Sequence, residues 1–258
     1  MSVRIRVDLL PKPPYRDTVV LIDVLRTCTA GAMLFERGLE RLEIIDSLKL
    51  ARQRAESTGA TLLGERAGLP PEGFNYGSSL AEIRDVTVNS HAILTSENAP
   101  KALSLITGAE TIFLGSLYNA DAVARAALQH SKGEIFLVCS GFLGQEDLDD
   151  TLTAGYLAAR LKSLAPTPLE GASAFAIALL KAFPDPLEAF WRSSTGHYLR
   201  GLNMVEDLAI ASYVSQSECV PMLQSSEQTQ QGNIFSFVNA ESREPRAEGE
   251  EQKDVVRR

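Results

Sequence analysis

Short apolar runs alternate with longer amphipathic segments over the first two thirds of the chain. Runs of four to six residues, rich in β-branched and aromatic side chains, predict five strands at Thr18–Asp23, Thr61–Gly64, His91–Thr95, Thr111–Gly115 and Glu134–Cys139. Apolar residues at helical spacing predict helices at Thr29–Gly38, Ser47–Thr58, Pro100–Thr107, Asn119–Gln129 and Asp149–Leu164. Strands that are apolar almost throughout belong to sheets covered on both faces. The alternation therefore predicts an α/β fold of three layers, α/β/α, with a mostly parallel sheet.

The pattern changes twice towards the C-terminus. After about residue 165 it is helical, and from Leu223 onward the composition shifts to Gln, Ser, Glu and Arg. We therefore predict a single α/β domain over residues 1–222 and a flexible polar tail over residues 223–258. One apolar segment of that tail, Ile234–Val238, can pack on the domain or against a second copy of the chain, which leaves a homodimer open.

Composition excludes several classes of protein. The net charge is −8 and no basic stripe precedes the tail, so we expect no nucleic-acid partner. The N-terminal segment Met1–Leu10 lacks the apolar core of a secretory signal, and no run of about 18 apolar residues predicts a membrane span. Three cysteines, an odd number, suit a reducing compartment, so we expect a cytoplasmic protein.

Polar and charged residues follow all five predicted strands. Open parallel sheets bind ligands at the carboxyl ends of their strands, so these positions are where chemistry is expected. The segments are Asp23–Thr29, Gly64–Arg66, Thr95–Asn98, Gly115–Asn119 and Cys139–Gly141. Turn formation and helix capping explain many such residues, but Asp23, Arg26 and Glu65 are charged beyond what capping needs.

Asp23 and Arg26 form the clearest candidate pair. A carboxylate at a strand end can hold Mg²⁺, which prefers oxygen ligands, and an arginine three residues later can bind phosphate or carboxylate through two hydrogen bonds. The alternative is a structural ion pair within one loop. The acidic run Glu146–Asp150 lies at the start of a predicted helix and would repel a phosphate bound there. A metal ion between the carboxylates and the phosphate would remove this repulsion.

Three other features have two interpretations each. The Gly- and Pro-rich segment Glu65–Ser79 is either a substrate-binding lid or an irregular connector. Cys139 is either a thiolate nucleophile or a buried strand residue, and the second is favoured because Gln145 stands where a cysteine phosphatase would need arginine. His197, after a Ser- and Thr-rich turn, either reaches the site or stays on the surface.

Read in order, these motifs resemble the 2-phosphosulfolactate phosphatase family, the ComB-type Mg²⁺-dependent phosphatases. The resemblance runs from about Val19 to Pro221. It is carried by Asp23–Thr29, Gly64–Arg66, Glu72–Phe74, Gly77–Ser79, Gly115–Ser116 with Asn119, Cys139 with Gly141, Asp149–Asp150, Ala154–Gly155, Ser194, Gly196, Tyr198–Leu199, Glu206–Asp207 and Val220–Pro221. It implies a ComB-like fold and hydrolysis of 2-phospho-3-sulfolactate to 3-sulfolactate and phosphate, a step of coenzyme M biosynthesis.

The resemblance also implies roles for nine residues. The expected catalytic residues are Asp23, Arg26, Glu65 and Asp150. Three of them, Asp23, Glu65 and Asp150, are expected to hold Mg²⁺. The expected substrate-binding residues are Thr27, Thr29, Asn98, Ser140 and Gly141. Asp23 is either a nucleophile that forms a phosphoaspartate or only a metal ligand.

Several loop positions depart from the family pattern and keep two rival functions open. The departures are Cys28, Ala30, Asn75, Ser78, Glu97, Ala99, Pro100 and Gln145. One rival is a non-catalytic protein that binds a small phosphorylated or sulfonated acid on the same fold. The other is a structural subunit with a vestigial site. Retention of Asp23, Arg26 and Glu65 favours the enzyme.

Overall fold

A computed structural model describes residues 3–240 of the chain. Its strands are β1 (Arg4–Asp8), β2 (Thr18–Ile22), β3 (Arg41–Ile45), β4 (Thr61–Gly64), β5 (His91–Thr95), β6 (Thr111–Gly115), β7 (Glu134–Cys139), β8 (Leu169–Gly171), β9 (Pro221–Thr229) and β10 (Gly232–Asn239). Its helices are α1 (Thr27–Glu36), α2 (Leu48–Thr58), α3 (Leu80–Asp85), α4 (Ala99–Ile106), α5 (Ala120–His130), α6 (Leu148–Leu164), α7 (Ser173–Ala182), α8 (Pro186–Arg192), α9 (Ser194–Gly201) and α10 (Val205–Ala211). All predicted strands and helices are present, with similar boundaries.

The strands form one sheet in the order β4-β5-β3-β10-β9-β6-β2-β7-β1-β8. Strands β4, β5 and β3 make one parallel block, and β6, β2, β7, β1 and β8 make a second. The hairpin of β9 and β10 joins the two blocks through antiparallel pairings. The predicted α/β fold with a mostly parallel sheet is confirmed.

The predicted flexible tail is wrong over residues 223–239, because these residues lie in β9 and β10 at the centre of the sheet. In β10, Phe235 and Phe237 pack into one core and Ile234 into another, as strand alternation requires. The end of β9 is polar and exposed, which is why the composition suggested a tail. The apolar segment is therefore buried in this sheet and gives no support to a dimer contact. Residues 241–258 of the predicted tail lie outside the described residues.

Strands β1 and β3 were missed because charged residues interrupt their apolar runs. In β1, Ile5 and Val7 are buried while arginines alternate with them. In β3, Glu43 is fully buried and binds both Nε and Nη2 of Arg54, at 2.9 and 2.8 Å. A buried carboxylate is tolerated when an opposite charge and hydrogen bonds compensate it, so the chain can place Glu43 inside a strand.

Helix α1 packs against one face of the sheet. Nine of its ten residues are buried, which is the pattern of a helix surrounded by protein. At Gly31, an added Cβ would lie 3.1 Å from Leu114 of β6 and 3.5 Å from Leu42 of β3, so the helix touches both parallel blocks. The short β2 loop, residues 23–26, leads directly into the N-terminus of α1.

Further helices cover the outer faces of the sheet and complete the three layers. Helices α5, α6 and α7 pack over the second block, and α2 packs over the first. Close approach of α6 to α7 depends on Gly155, where a Cβ would fall 2.1 Å from the carbonyl oxygen of Ala176. Within residues 3–240, the helices are too short or too polar to cross a membrane.

Candidate active site

Loops that follow β2, β4, β5 and β7 meet at a cavity of about 340 Å³. Its lining comprises Asp23, Leu25, Arg26, Thr27, Glu65, Ala67, Gly68, Ser78, Ser96, Glu97, Asn98, Phe142, Leu143, Thr195, Tyr198 and Leu199. Three of the five predicted strand-end segments, those after β2, β4 and β5, contribute lining residues. After β7 the lining residues are Phe142 and Leu143, just beyond the predicted segment Cys139–Gly141. The segment after β6 serves a structural turn, in which the side-chain oxygen of Asn119 accepts hydrogen bonds from the backbone N–H and hydroxyl of Ser116.

Asp23 is the most buried carboxylate of the cavity lining. Its Oδ1 accepts a hydrogen bond from the backbone N–H of Thr27 at 3.2 Å, at the start of α1. Its Oδ2 is buried and has no hydrogen-bond partner among the described residues. Burial and the negative charge of Glu65 raise the pKa of Asp23. An unpaired buried oxygen of this kind favours a proton, a cation or a ligand beside it.

Asp150 ties the β2 loop to the β7 loop. Its Oδ1 accepts the backbone N–H of Val24 at 2.9 Å, and its Oδ2 accepts the N–H of Gly141 at 3.0 Å and the hydroxyl of Ser140 at 3.2 Å. Burial and the nearby charge of Asp23 raise the pKa of Asp150 to about 8. Both oxygens are thus occupied by the protein, and Asp150 holds the loops that shape the cavity without lining it.

Arg26 lines the cavity but is held by a buried network. Its Nη1 lies 3.0 Å from Oδ2 of Asp207, and its Nη2 donates to the carbonyl of Gly68 at 3.1 Å. The other oxygen of Asp207 accepts the hydroxyl of Ser79 at 2.7 Å and the backbone N–H of Ala81 at 3.0 Å. The ion pair is therefore structural and joins the β2 loop to α10. It also fixes the orientation of the guanidinium at the cavity wall.

Glu65 is positioned by backbone donors from two loops. Its Oε1 accepts the N–H of Glu97 at 3.1 Å, and its Oε2 accepts the N–H of Gly68 at 2.9 Å. The preceding residue must be glycine, because a Cβ at Gly64 would lie 2.1 Å from the hydroxyl of Thr95. The segment Glu65–Ser79 thus contributes four residues to the cavity lining, which favours its interpretation as a substrate-binding element.

Hydroxyl and amide groups supply hydrogen-bonding capacity in the cavity. The hydroxyl of Thr27 donates to that of Ser96 at 3.0 Å, which joins the β2 and β5 loops. Asn98 accepts the backbone N–H of Leu143 through Oδ1 at 3.3 Å. Ser78 is buried, and its hydroxyl has no partner among the described residues. Together with Asp23, this makes a polar region with two unsatisfied buried oxygens.

The family model of 2-phosphosulpholactate phosphatase matches residues 5–226. The chain belongs to this family. A protein of Thermus thermophilus is 34% identical over 225 residues, which cover 86% of this chain and 94% of the relative. One of Deinococcus radiodurans is 34% identical over 224 residues, covering 86% and 93%. One of Carboxydothermus hydrogenoformans is 31% identical over 204 residues, covering 79% and 84%. Each is described as a "probable 2-phosphosulfolactate phosphatase".

In this family member, the nine predicted site residues separate into two groups. Those that line the cavity are Asp23, Arg26, Thr27, Glu65 and Asn98. Those that do not are Thr29, Ser140, Gly141 and Asp150. Thr29 is fully buried and donates its hydroxyl to the carbonyl of Val24 at 2.8 Å, so it stabilises the start of α1. The chemical roles of the lining residues stay predictions.

The three carboxylates predicted to hold Mg²⁺ do not all line the cavity. Asp23 and Glu65 line it, whereas Asp150 does not and uses both oxygens to accept backbone and hydroxyl donors. Among residues 3–240, no group of three or more His, Cys, Asp or Glu side chains is placed to hold a metal ion. The Mg²⁺ site stays a prediction.

Two further candidates do not belong to the site. Cys139 is fully buried, and burial raises the pKa of its thiol, so it is a strand residue and not a nucleophile. His197 is exposed and contacts Arg200 instead of the cavity. Its neighbours Thr195 and Tyr198 line the cavity in its place. They lie about one helical turn apart on α9, a spacing that points both to the same side of the helix.

Asp207 belongs to the buried network that holds Arg26, and the sequence pattern assigned it no role. Its only signal in the sequence was its place in the motif Glu206–Asp207. It lies 181 positions from Arg26, so their contact depends on the tertiary fold.

Proposed function

We propose that this protein is a phosphatase that converts 2-phospho-3-sulfolactate and water into 3-sulfolactate and phosphate with the help of Mg²⁺. The observation that carries the proposal is Asp23, a buried carboxylate of the cavity with one oxygen unpaired among the described residues. Glu65 and Arg26 line the same cavity. The names of the relatives support the substrate, since each is called a probable 2-phosphosulfolactate phosphatase.

The charge of the cavity supports a divalent cation. Its lining has three carboxylates, Asp23, Glu65 and Glu97, whereas Arg26 is already paired with Asp207. A phosphorylated acid would meet net negative charge here. Mg²⁺ is commonly bound by one or two carboxylates together with substrate phosphate, and Asp23 with Glu65 fits that requirement. When bound, Mg²⁺ would neutralise charge on the phosphoryl oxygens.

The side chains of this chain would mainly position the substrate. Arg26 offers a guanidinium whose orientation is fixed by Asp207. The hydroxyl of Ser96 accepts that of Thr27, which leaves the Ser96 proton to donate to a phosphate oxygen. Asn98 uses its Oδ1 towards Leu143, which leaves its amide N–H groups for the ligand. Phosphoryl transfer depends chiefly on such positioning and on charge neutralisation.

Phosphate release from 2-phosphosulfolactate tests the proposal. We expect turnover that requires Mg²⁺ and is abolished by Asp23→Asn, which keeps the size of the side chain but removes its charge. Asp85→Asn is the matched control, because Asp85 is exposed and does not line the cavity. Absence of turnover by the folded wild-type protein with Mg²⁺ would refute the activity.

The same assay separates the remaining alternatives. Binding of 2-phosphosulfolactate without turnover would indicate the non-catalytic binder. Neither binding nor turnover would indicate the structural subunit. For an active enzyme, a burst of 3-sulfolactate and a trapped phosphoaspartate would identify Asp23 as the nucleophile. The absence of both would leave Asp23 as a metal ligand.

We also propose that the enzyme acts on a small phosphorylated acid in the cytoplasm and does not bind nucleic acid. The net charge of −8 supports the absence of a nucleic-acid partner. The odd number of cysteines, three, suits a reducing compartment and supports the cytoplasmic location.

A further inference from the structure

Asp147 joins the start of α9 to the start of α6. Its Oδ1 accepts the backbone N–H groups of Leu148 and Ser194, each at 2.8 Å. Its Oδ2 accepts the backbone N–H and the hydroxyl of Thr195, also at 2.8 Å each. The side chain is buried, and three of its four partners are backbone N–H groups, which can only donate. Asp147 is therefore a hydrogen-bond acceptor at both oxygens.

This contact decides what the hydroxyl of Thr195 can offer to a ligand. Thr195 is part of the cavity lining. A threonine hydroxyl has one proton and two lone pairs, and the proton of Thr195 is donated to Asp147. Thr195 can therefore accept a hydrogen bond in the cavity but has no proton left to donate. Ser96 is its opposite, because its hydroxyl accepts that of Thr27 and keeps its own proton for a ligand.

A hydroxyl that can only accept has no partner on the proposed substrate. The phosphate, carboxylate and sulfonate groups of fully ionised 2-phosphosulfolactate offer acceptor oxygens and no N–H or O–H donor. Hydrolysis brings two donors into the cavity, which are the attacking water and the hydroxyl of the 3-sulfolactate that forms. Of these two, only the water carries its protons before the ester bond breaks. The water is therefore the donor that can use Thr195 during the reaction.

From this pattern of donors and acceptors we propose that Thr195 is a positioning residue that holds the attacking water through Oγ, while Asp147 orients the hydroxyl. The inference rests on the proposed phosphatase activity. The water donates one hydrogen bond to Oγ of Thr195 and directs a lone pair at phosphorus. Its oxygen forms the new bond to phosphorus as the bond from phosphorus to the ester oxygen breaks. The ester oxygen leaves with that electron pair and takes up one proton, which balances the proton that the water loses.

Removal of the hydroxyl tests the inference in the full-length protein with Mg²⁺ and 2-phosphosulfolactate. Thr195→Val keeps the shape of the side chain. We expect kcat to fall about tenfold or more and KM to change less than about twofold, because the lost acceptor has no donor on the substrate. Thr195→Ser keeps a hydroxyl and should retain most of the wild-type kcat. Thr151→Val is the matched control, because the hydroxyl of Thr151 donates to the carbonyl of Asp147 at 2.6 Å but Thr151 does not line the cavity.

Inhibition by 3-sulfolactate is the second readout, and its inhibition constant should be the same for Thr195→Val and wild type. A higher constant in the variant would assign Thr195 to the product hydroxyl and overturn the inference. Equal loss of kcat in Thr195→Val and Thr151→Val, or in Thr195→Val and Thr195→Ser, would also overturn it. If Thr195→Val does not fold, Thr195→Ala has the same expected results. Wild-type turnover that loss of the hydroxyl leaves unchanged overturns this inference alone, whereas no turnover by the folded wild type overturns the proposed activity as well.

Discussion

Replacement of Asp207 by asparagine breaks the contact that fixes Arg26 while it changes little else. Oδ2 of Asp207 lies 3.0 Å from Nη1 of Arg26, and Oδ1 accepts hydrogen bonds from Ser79 and Ala81. In the variant the amide oxygen can keep the Ser79 and Ala81 bonds. The amide nitrogen then faces the guanidinium, and because both groups are donors, no hydrogen bond forms between them.

The burial of the pair sets the magnitude. The side chain of Asp207 is fully buried and that of Arg26 is 4% exposed, so Asp207→Asn leaves a guanidinium buried without a counter-charge. Loss of one partner of a buried ion pair costs about 3–5 kcal/mol. For a protein of this size that corresponds to a fall in melting temperature of roughly 6–20 °C. Misplacement of Arg26 at the cavity is expected to lower kcat/KM by roughly a hundredfold.

Thermal unfolding followed by circular dichroism, together with phosphate release, measures both effects. Glu206→Gln is the control, because Glu206 is the adjacent residue and its ion pair with Arg84, at 2.6 Å, is exposed on both sides. Exposed pairs contribute about 0.2–1 kcal/mol, so the control should lose only a few degrees. If Asp207→Asn and Glu206→Gln lower the melting temperature equally, the buried network is not what stabilises this region.

Two further predictions concern stability away from the cavity. Glu43→Gln should lower the free energy of unfolding by about 2–3 kcal/mol at neutral pH, because Glu43 loses charge-assisted bonds to Arg54. The bonds to Arg54 keep the pKa of Glu43 low, so the stabilisation by Glu43 is lost as pH falls. The unfolding free energies of variant and wild type should therefore converge below about pH 4. A difference that stays constant with pH would contradict this. Phe237→Ala should cost about 3–5 kcal/mol, because the ring is fully buried in β10. An unchanged melting temperature, equal to that of the exposed control Val205→Ala, would show that β10 does not belong to the core.

Local pattern predicted the elements whose side chains are apolar on both faces. Strand β2 and helix α1 are examples, because all five residues of the strand and nine of the ten in the helix are buried. The same criterion failed for β9 and β10. The second half of β9 is polar throughout, and polar residues interrupt the apolar ones in β10. These segments form strands because they pair with strands distant in the chain, such as β10 with β3.

The sequence by itself determined the fold class, the family resemblance and the strand ends at which chemistry would occur. Only the tertiary structure decided which polar residues face the cavity. Asp23 follows β2 and Asp150 lies in the first turn of α6, after β7, so both are acids near strand ends. Asp150 accepts the N–H of Val24, 126 positions away, and does not line the cavity. Likewise, the partner of Arg26 is Asp207, in a helix of the C-terminal part. Helix and strand patterns depend on neighbours along the chain, whereas the pairing of buried charges depends on contacts that exist only after the chain has folded.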